Sequence, residues 1–175
     1  MGRVFRGVRW LEERLISTAV LIVAGLTIAN VFCRTLLGFS LAFAEELSQF
    51  LIVLITFVGL SYAAGLGRHI RMTAIYDQLG HRARKSLMVV IAGSTGLLML
   101  LLAYYSVRYV QTVQMLGTTS PVLQVPYAIV YSVAPLGFLL TAIQYGLTVY
   151  QNLRSDDVYL SYDRTDEYET PTLAE

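Results

Sequence analysis

The chain has 175 residues, of which 55% are hydrophobic and 14% charged, with a formal net charge of +1. That balance excludes the basic surface that nucleic-acid binding needs, and the single cysteine, Cys33, has no partner for an internal disulfide. Four uncharged runs, 15–33, 47–67, 86–107 and 109–153, each reach the roughly 20 apolar residues that cross a hydrocarbon core about 30 Å thick, and they leave no length for a separate soluble domain.

The expected fold is therefore an all-α membrane protein of four transmembrane helices with short interfacial amphipathic helices. The transmembrane domain covers 1–153 and an acidic tail covers 154–175. At the start, Val4, Val8, Leu11 and Leu15 share one helical face, with arginines and glutamates over much of the rest. This predicts an interfacial helix over 3–14, anchored to headgroups by Arg3, Arg6, Arg9 and Trp10. The following apolar run is longer than a signal-peptide core and has no small-residue cleavage site, so it reads as an uncleaved span over 15–37. Gly38 supplies its left-handed stop.

Span 2 is expected over 45–67. Glu45 and Glu46 open it, where the helix macrodipole favours acidic side chains. Beyond it, Met72, Ile75, Tyr76 and Leu79 fall at i, i+3, i+4 and i+7 and predict a second surface helix. His81-Arg82-Ala83-Arg84-Lys85 then anchors span 3, expected over 86–116, with Arg82, Arg84 and Lys85 facing anionic headgroups. Its length exceeds the hydrocarbon core, and the excess is expected at the outer end, with Gly117 as the stop. Pro126 suits the first turn of span 4, expected over 126–152, and Pro135 predicts a kink in it, the carbonyl freed near Tyr131 being met by Ser132 or a neighbouring helix. The tail carries seven acidic residues and no core, and is expected to lack fixed structure.

Eleven of the 13 lysines and arginines lie before span 1, between spans 2 and 3, or after span 4. The positive-inside rule places both termini and the middle loop in the cytoplasm. The four uncharged runs place no charged residue at membrane depth; Arg34, Glu45, Glu46 and Arg108 fall toward the outer ends of the spans. Polar groups such as Asn30, Gln49, Thr56, Ser61, Gln111 and Gln144 read as helix–helix contacts. His69 and His81 lie in the middle loop, so neither haem ligation within a bundle nor a zinc site is indicated. No cofactor and no catalytic residue is expected. The residues alone describe a small scaffolding subunit.

An ordered set of motifs is more specific. Phe43-Ala44-Glu45-Glu46-Leu47, then Thr56-Phe57-Val58-Gly59, then Gly67-Arg68-His69-Ile70-Arg71, with Pro135-Leu136-Gly137-Phe138 in span 4, resembles the small membrane (DctQ-like) subunit of tripartite ATP-independent periplasmic (TRAP) transporters. The chain departs from that pattern at Thr73, where members often carry Asp. The resemblance implies a non-enzymatic subunit of the inner membrane. Its partners would be a large membrane subunit, a periplasmic substrate-binding protein and membrane lipids, in sodium-driven uptake of a carboxylate-type solute. It marks Glu45, Glu46, Gly59, Arg68, His69 and Arg71 as candidate partner or lipid contacts. The alternative is a four-span enzyme similar to the glutathione-dependent microsomal family, which clusters arginines and tyrosines for a thiol cofactor. Here the basic residues sit in loops.

Overall fold

A computed structural model describes residues 2–66, 81–155, 159–161 and 164–165, with side chains described from Gly7 in the first helix and from Ala83 in the third. The expected surface helix around Met72 to Leu79 lies outside the described residues, as do Arg68, His69 and Arg71. So do the side chains of Arg3, Arg6 and Arg82.

A backbone in hydrocarbon must bond to itself, which leaves an apolar run of this length only the helix. Four helical segments are long and apolar enough to cross a membrane: Gly7–Leu37, Ala42–Gly65, Ala83–Leu116 and Tyr127–Arg154. The first is α1 (Gly2–Phe32) followed by one wide π turn, Cys33–Leu37. The second is α2 (Ala42–Gly65) and the third α3 (His81–Leu116). The fourth is divided into α4 (Tyr127–Tyr131) and α5 (Val133–Arg154). Gly38 at φ 75° and Gly117 at φ 61° end the first and third segments in the left-handed region, where a side chain is strained.

The break at Ser132 follows from Pro135, which has no N–H to give the carbonyl of Tyr131. Ser132 does not reach that carbonyl: its hydroxyl donates to Ile129 O at 2.6 Å. Residues 3–14 are not a separate element. They continue into the first span as one helix, because nothing between Arg14 and Leu15 interrupts the backbone ladder. In the tail, β1 (Tyr159–Ser161) and β2 (Arg164–Thr165) pair antiparallel, Tyr159 with Thr165 and Ser161 with Arg164. Acidic composition alone gave no reason to expect strands there.

The helices pack in the order α1, α2, α5, α3. α1 and α3 are thus the outer members, and α2 and α5 meet in the middle. Each buries a narrow stripe at three- and four-residue spacing. On α1 it runs Val8, Glu12, Ile16, Ala19, Val23, Leu26, Asn30, Cys33; on α3 it runs Met88, Ala92, Gly96, Met99, Ala103, Ser106, Val110, Val113; on α5 it runs Ala134, Gly137, Thr141, Gln144, Thr148, Asn152. Small and polar residues dominate these seams and large apolar ones face outward, as expected where lipid is no less apolar than leucine. At the N-terminal end Leu11 and Leu15 are 53% and 41% exposed, as a lipid-facing stripe requires, whereas Glu12, expected on the polar face, is buried.

Two close approaches set the level of the helices. A Cβ on Gly96 would stand 3.2 Å from Tyr145 Cβ, and one on Gly65 would stand 2.9 Å from Gln144 Oε1. From this layer to the end that carries the 117–126 connection, α2 and α3 run similar lengths, about 35 and 30 Å. In the other direction α3 continues for about 22 Å more. α3 thus reaches well past this layer on the side of the chain termini, and the end of α5 accompanies it. Lys85 in this extension donates to the carbonyl of Ser155 at 2.6 Å, tying the end of α5 to α3.

Candidate functional site

Glu45 and Glu46 are neighbours in sequence and do different work. Glu46 is buried, and its carboxylate receives two backbone N–H groups of the 117–126 connection, Val122 at 2.8 Å on Oε1 and Leu123 at 2.8 Å on Oε2. The connection is braced from within. Ser120, 1% exposed, exchanges bonds with Val125: its N–H donates to Val125 O at 3.0 Å and its Oγ accepts from Val125 N–H at 3.2 Å. Tyr127 N–H donates to Thr118 O at 3.1 Å, and Gln124 is held at φ 56°, a left-handed conformation uncommon outside glycine.

Glu45 is exposed and belongs to the other turn. Its Oε1 accepts from Asn30 Nδ2 and Ser40 Oγ, both at 3.4 Å, while Asn30 Oδ1 accepts Leu41 N–H at 2.7 Å. The acidic pair is thus more than a helix-terminus charge: it fastens both connections at one end of the bundle. Glu46→Ala leaves two N–H groups without their acceptor. The 117–126 connection should then open locally, and deuterium labelling of the Val122 and Leu123 amides should speed up on the order of tenfold. Unchanged labelling would show that the connection holds itself.

A second polar group lies inside the bundle: it joins Ser61 and Gln144, which the sequence marked as helix–helix contacts, to Glu12, which it did not. Ser61 donates to Glu12 Oε1 at 2.6 Å, and Gln144 Nε2 donates to Ser61 Oγ at 3.0 Å, linking α1, α2 and α5. Glu12, Ser61 and Gln144 are 6%, 0% and 6% exposed. Gln144 Oε1 has no hydrogen-bond partner and rests against Gly65, where any side chain would displace it. Further along α5, Thr141, Thr148 and Asn152 bond back to carbonyls four residues earlier. The available signal was positional: Glu12 stands four residues from Val8 and four from Ile16, in the seam. These groups bond to one another and offer no open path to a solute.

Of the remaining predicted residues whose side chains are described, Trp10 faces outward and Arg9, Gly59, Arg84 and Lys85 are half-buried. Gly59 has open space where a Cβ would stand. Trp10 is 60% exposed, with the Arg14 guanidinium 5.6 Å from its ring centroid. Arg108 donates to its neighbour Tyr104 Oη at 3.2 Å. Val53, Phe57, Leu102, Tyr105, Tyr109 and Phe138 border a groove of about 350 Å³ between α2, α3 and α5. Its walls are apolar and carry no ionised group, so it suits a hydrocarbon chain better than a polar solute.

Residues 23–155 match the family described as tripartite ATP-independent periplasmic transporters, DctQ component. The chain belongs to that family. It is 46% identical over 168 residues to the ectoine TRAP transporter small permease protein TeaB of Halomonas elongata, an alignment covering 96% of this chain and 87% of that protein. This DctQ-family chain is a transporter subunit and not an enzyme, which sets the glutathione-dependent alternative aside. Four spanning helices and the family together make it a multi-pass inner-membrane protein.

Proposed function

We propose that this DctQ-family subunit scaffolds the large membrane subunit of a sodium-coupled uptake system that a periplasmic substrate-binding protein supplies. The solute carries a carboxylate, and ectoine is the first candidate. The observation that carries this reading is the 46% identity to the ectoine small permease protein across nearly the whole chain. Supporting it, the buried polar side chains of the described bundle are engaged mainly with one another or with their own helix, which suits a brace rather than a translocation path. Both termini lie in the cytoplasm, on the strength of the eleven basic residues on that side. Arg3, Arg6, Arg9, Trp10, Arg82, Arg84 and Lys85 anchor the inner surface to lipid headgroups. Arg68, His69 and Arg71 contact the partner or lipid at the end of span 2.

The test is reconstitution of this chain, its large membrane subunit and the substrate-binding protein in liposomes with labelled ectoine. Uptake is expected only with all three components and an inward sodium gradient. Uptake by this chain alone, or full uptake without it, would sink the scaffolding reading. Uptake indifferent to sodium would remove the coupling.

A further inference from the structure

The four helices do not present the same kind of surface to the membrane. The outward faces of α1, α3 and α5 are built from large apolar residues, among them Leu21 at 73%, Leu97 at 70% and Leu136 at 60% exposure. The outward face of α2 is different. It runs Gln49, Ile52, Thr56, Gly59 and Ala63, and among these only Ile52, 52% exposed, is a large hydrophobic group. This face lies on the far side of α2 from Ser61, and among the described residues no helix covers it.

Two further facts say what does cover it. The Thr56 hydroxyl is satisfied within the helix, by Ile52 O at 2.8 Å. Gln49 is exposed, and its amide forms no hydrogen bond among the described residues. It stands about 10 Å inside the start of α2, deeper than the headgroups for a helix this long. Lipid tails offer an amide nothing, so a protein group must meet it there. Gly59, nearly three turns and about 15 Å further on, leaves a gap where a Cβ would meet no neighbouring group within 4 Å among the described residues. A glycine gap and a primary amide on one helix face are the features by which transmembrane helices bind one another: the backbones approach at the small residue and a polar side chain bonds across.

We propose that the Gln49–Thr56–Gly59–Ala63 face of α2 is the seat of a transmembrane helix of the large membrane subunit. That helix crosses closely at Gly59 and brings a hydrogen-bonding group to Gln49. The assignment of the partner rests on the scaffolding function proposed above. The geometry restricts the occupant to a membrane helix, because a lipid would leave the amide unmet and a soluble protein does not reach this depth.

The test uses the co-expressed large subunit and tandem co-purification in mild detergent. Gly59→Leu puts a side chain into the gap from a Cβ that meets nothing within 4 Å, and leucine favours the helix over glycine. Gly25→Leu and Gly93→Leu are the controls, since those positions also meet nothing within 4 Å but lie on α1 and α3. Recovery of the large subunit is expected to fall roughly tenfold or more with Gly59→Leu and to stay within about twofold of wild type with the controls. Gln49→Leu should lower recovery in the same direction, and the isolated subunit carrying it should melt no lower than wild type. If both α2 variants retain the large subunit as the controls do, the face is not its seat, while the scaffolding function stands. If the α2 variants instead disrupt a dimer of this chain and leave recovery intact, a second copy is the occupant and the proposal is overturned. Failure of the wild-type chain to recover the large subunit at all would overturn the scaffolding function itself.

Discussion

Replacing Gly137 by alanine is expected to destabilise the subunit by about 1–3 kcal/mol, although alanine is the better helix former. The reason is the contact between α2 and α5. A Cβ at position 137 would stand 2.6 Å from the carbonyl oxygen of Phe57 and 2.9 Å from Phe57 Cβ. The nearest atom belongs to the backbone of another helix and cannot rotate away. Phe57 is further fixed by an edge contact with Phe138, ring centroids 5.2 Å apart at 75°. The two central helices must therefore separate to admit one methyl group. Gly146, on the same helix, has nothing within 4 Å of its Cβ position, and Gly146→Ala should be neutral or stabilising by up to about 1 kcal/mol. Equilibrium unfolding in mixed micelles compares the two. Equal effects at both positions would mean that the close approach has no energetic weight.

Glu12→Ala is expected to cost about 1–3 kcal/mol, because it leaves Ser61 in a buried site without the oxygen its hydroxyl bonds. α1 is packed chiefly on α2, so the loss should appear first as detachment of α1, measured by protease cleavage within the connection at 38–41. Glu12→Gln keeps an oxygen for Ser61 and should retain most of the stability. The double substitution Glu12→Ala with Ser61→Ala should cost less than the sum of the singles, since the second change removes the group that the first one strands. Strict additivity would show that the 2.6 Å bond does not couple the helices.

Much of this was legible from the residues. Uncharged runs locate four spans because hydrocarbon leaves the backbone so few alternatives, and Gly38 and Gly117 end helices for a reason intrinsic to glycine. The motifs at 43–71 led to the family that residues 23–155 confirm. The role of Glu46 was harder to see. Spacing places it in a first helical turn, and nothing local shows that its carboxylate reaches N–H groups 76 and 77 residues away. Glu12 was misplaced because a carboxylate beside arginines resembles a solvated helix face. In a membrane bundle the seam is chosen by size and hydrogen bonding, so the most apolar stripe faces outward. The order of the helices depends on which faces meet, and one-dimensional periodicity carries no label for the partner.

The packing order also has a consequence for biogenesis. α1 with α2, and α3 with α5, each form an antiparallel hairpin whose members are adjacent in synthesis, and α2 against α5 is the join between them. The first hairpin can close, with Asn30 and Glu45 fastening its turn, while the second half is still being made. Its Gln144-facing side then waits as an unfinished surface, lined by Ser61 and Gly65, until the second hairpin arrives. During that interval the Ser61 side of the first hairpin faces lipid without the Gln144 amide that meets it in the finished bundle. Gly137, where the join is tightest, marks the step at which that exposure ends.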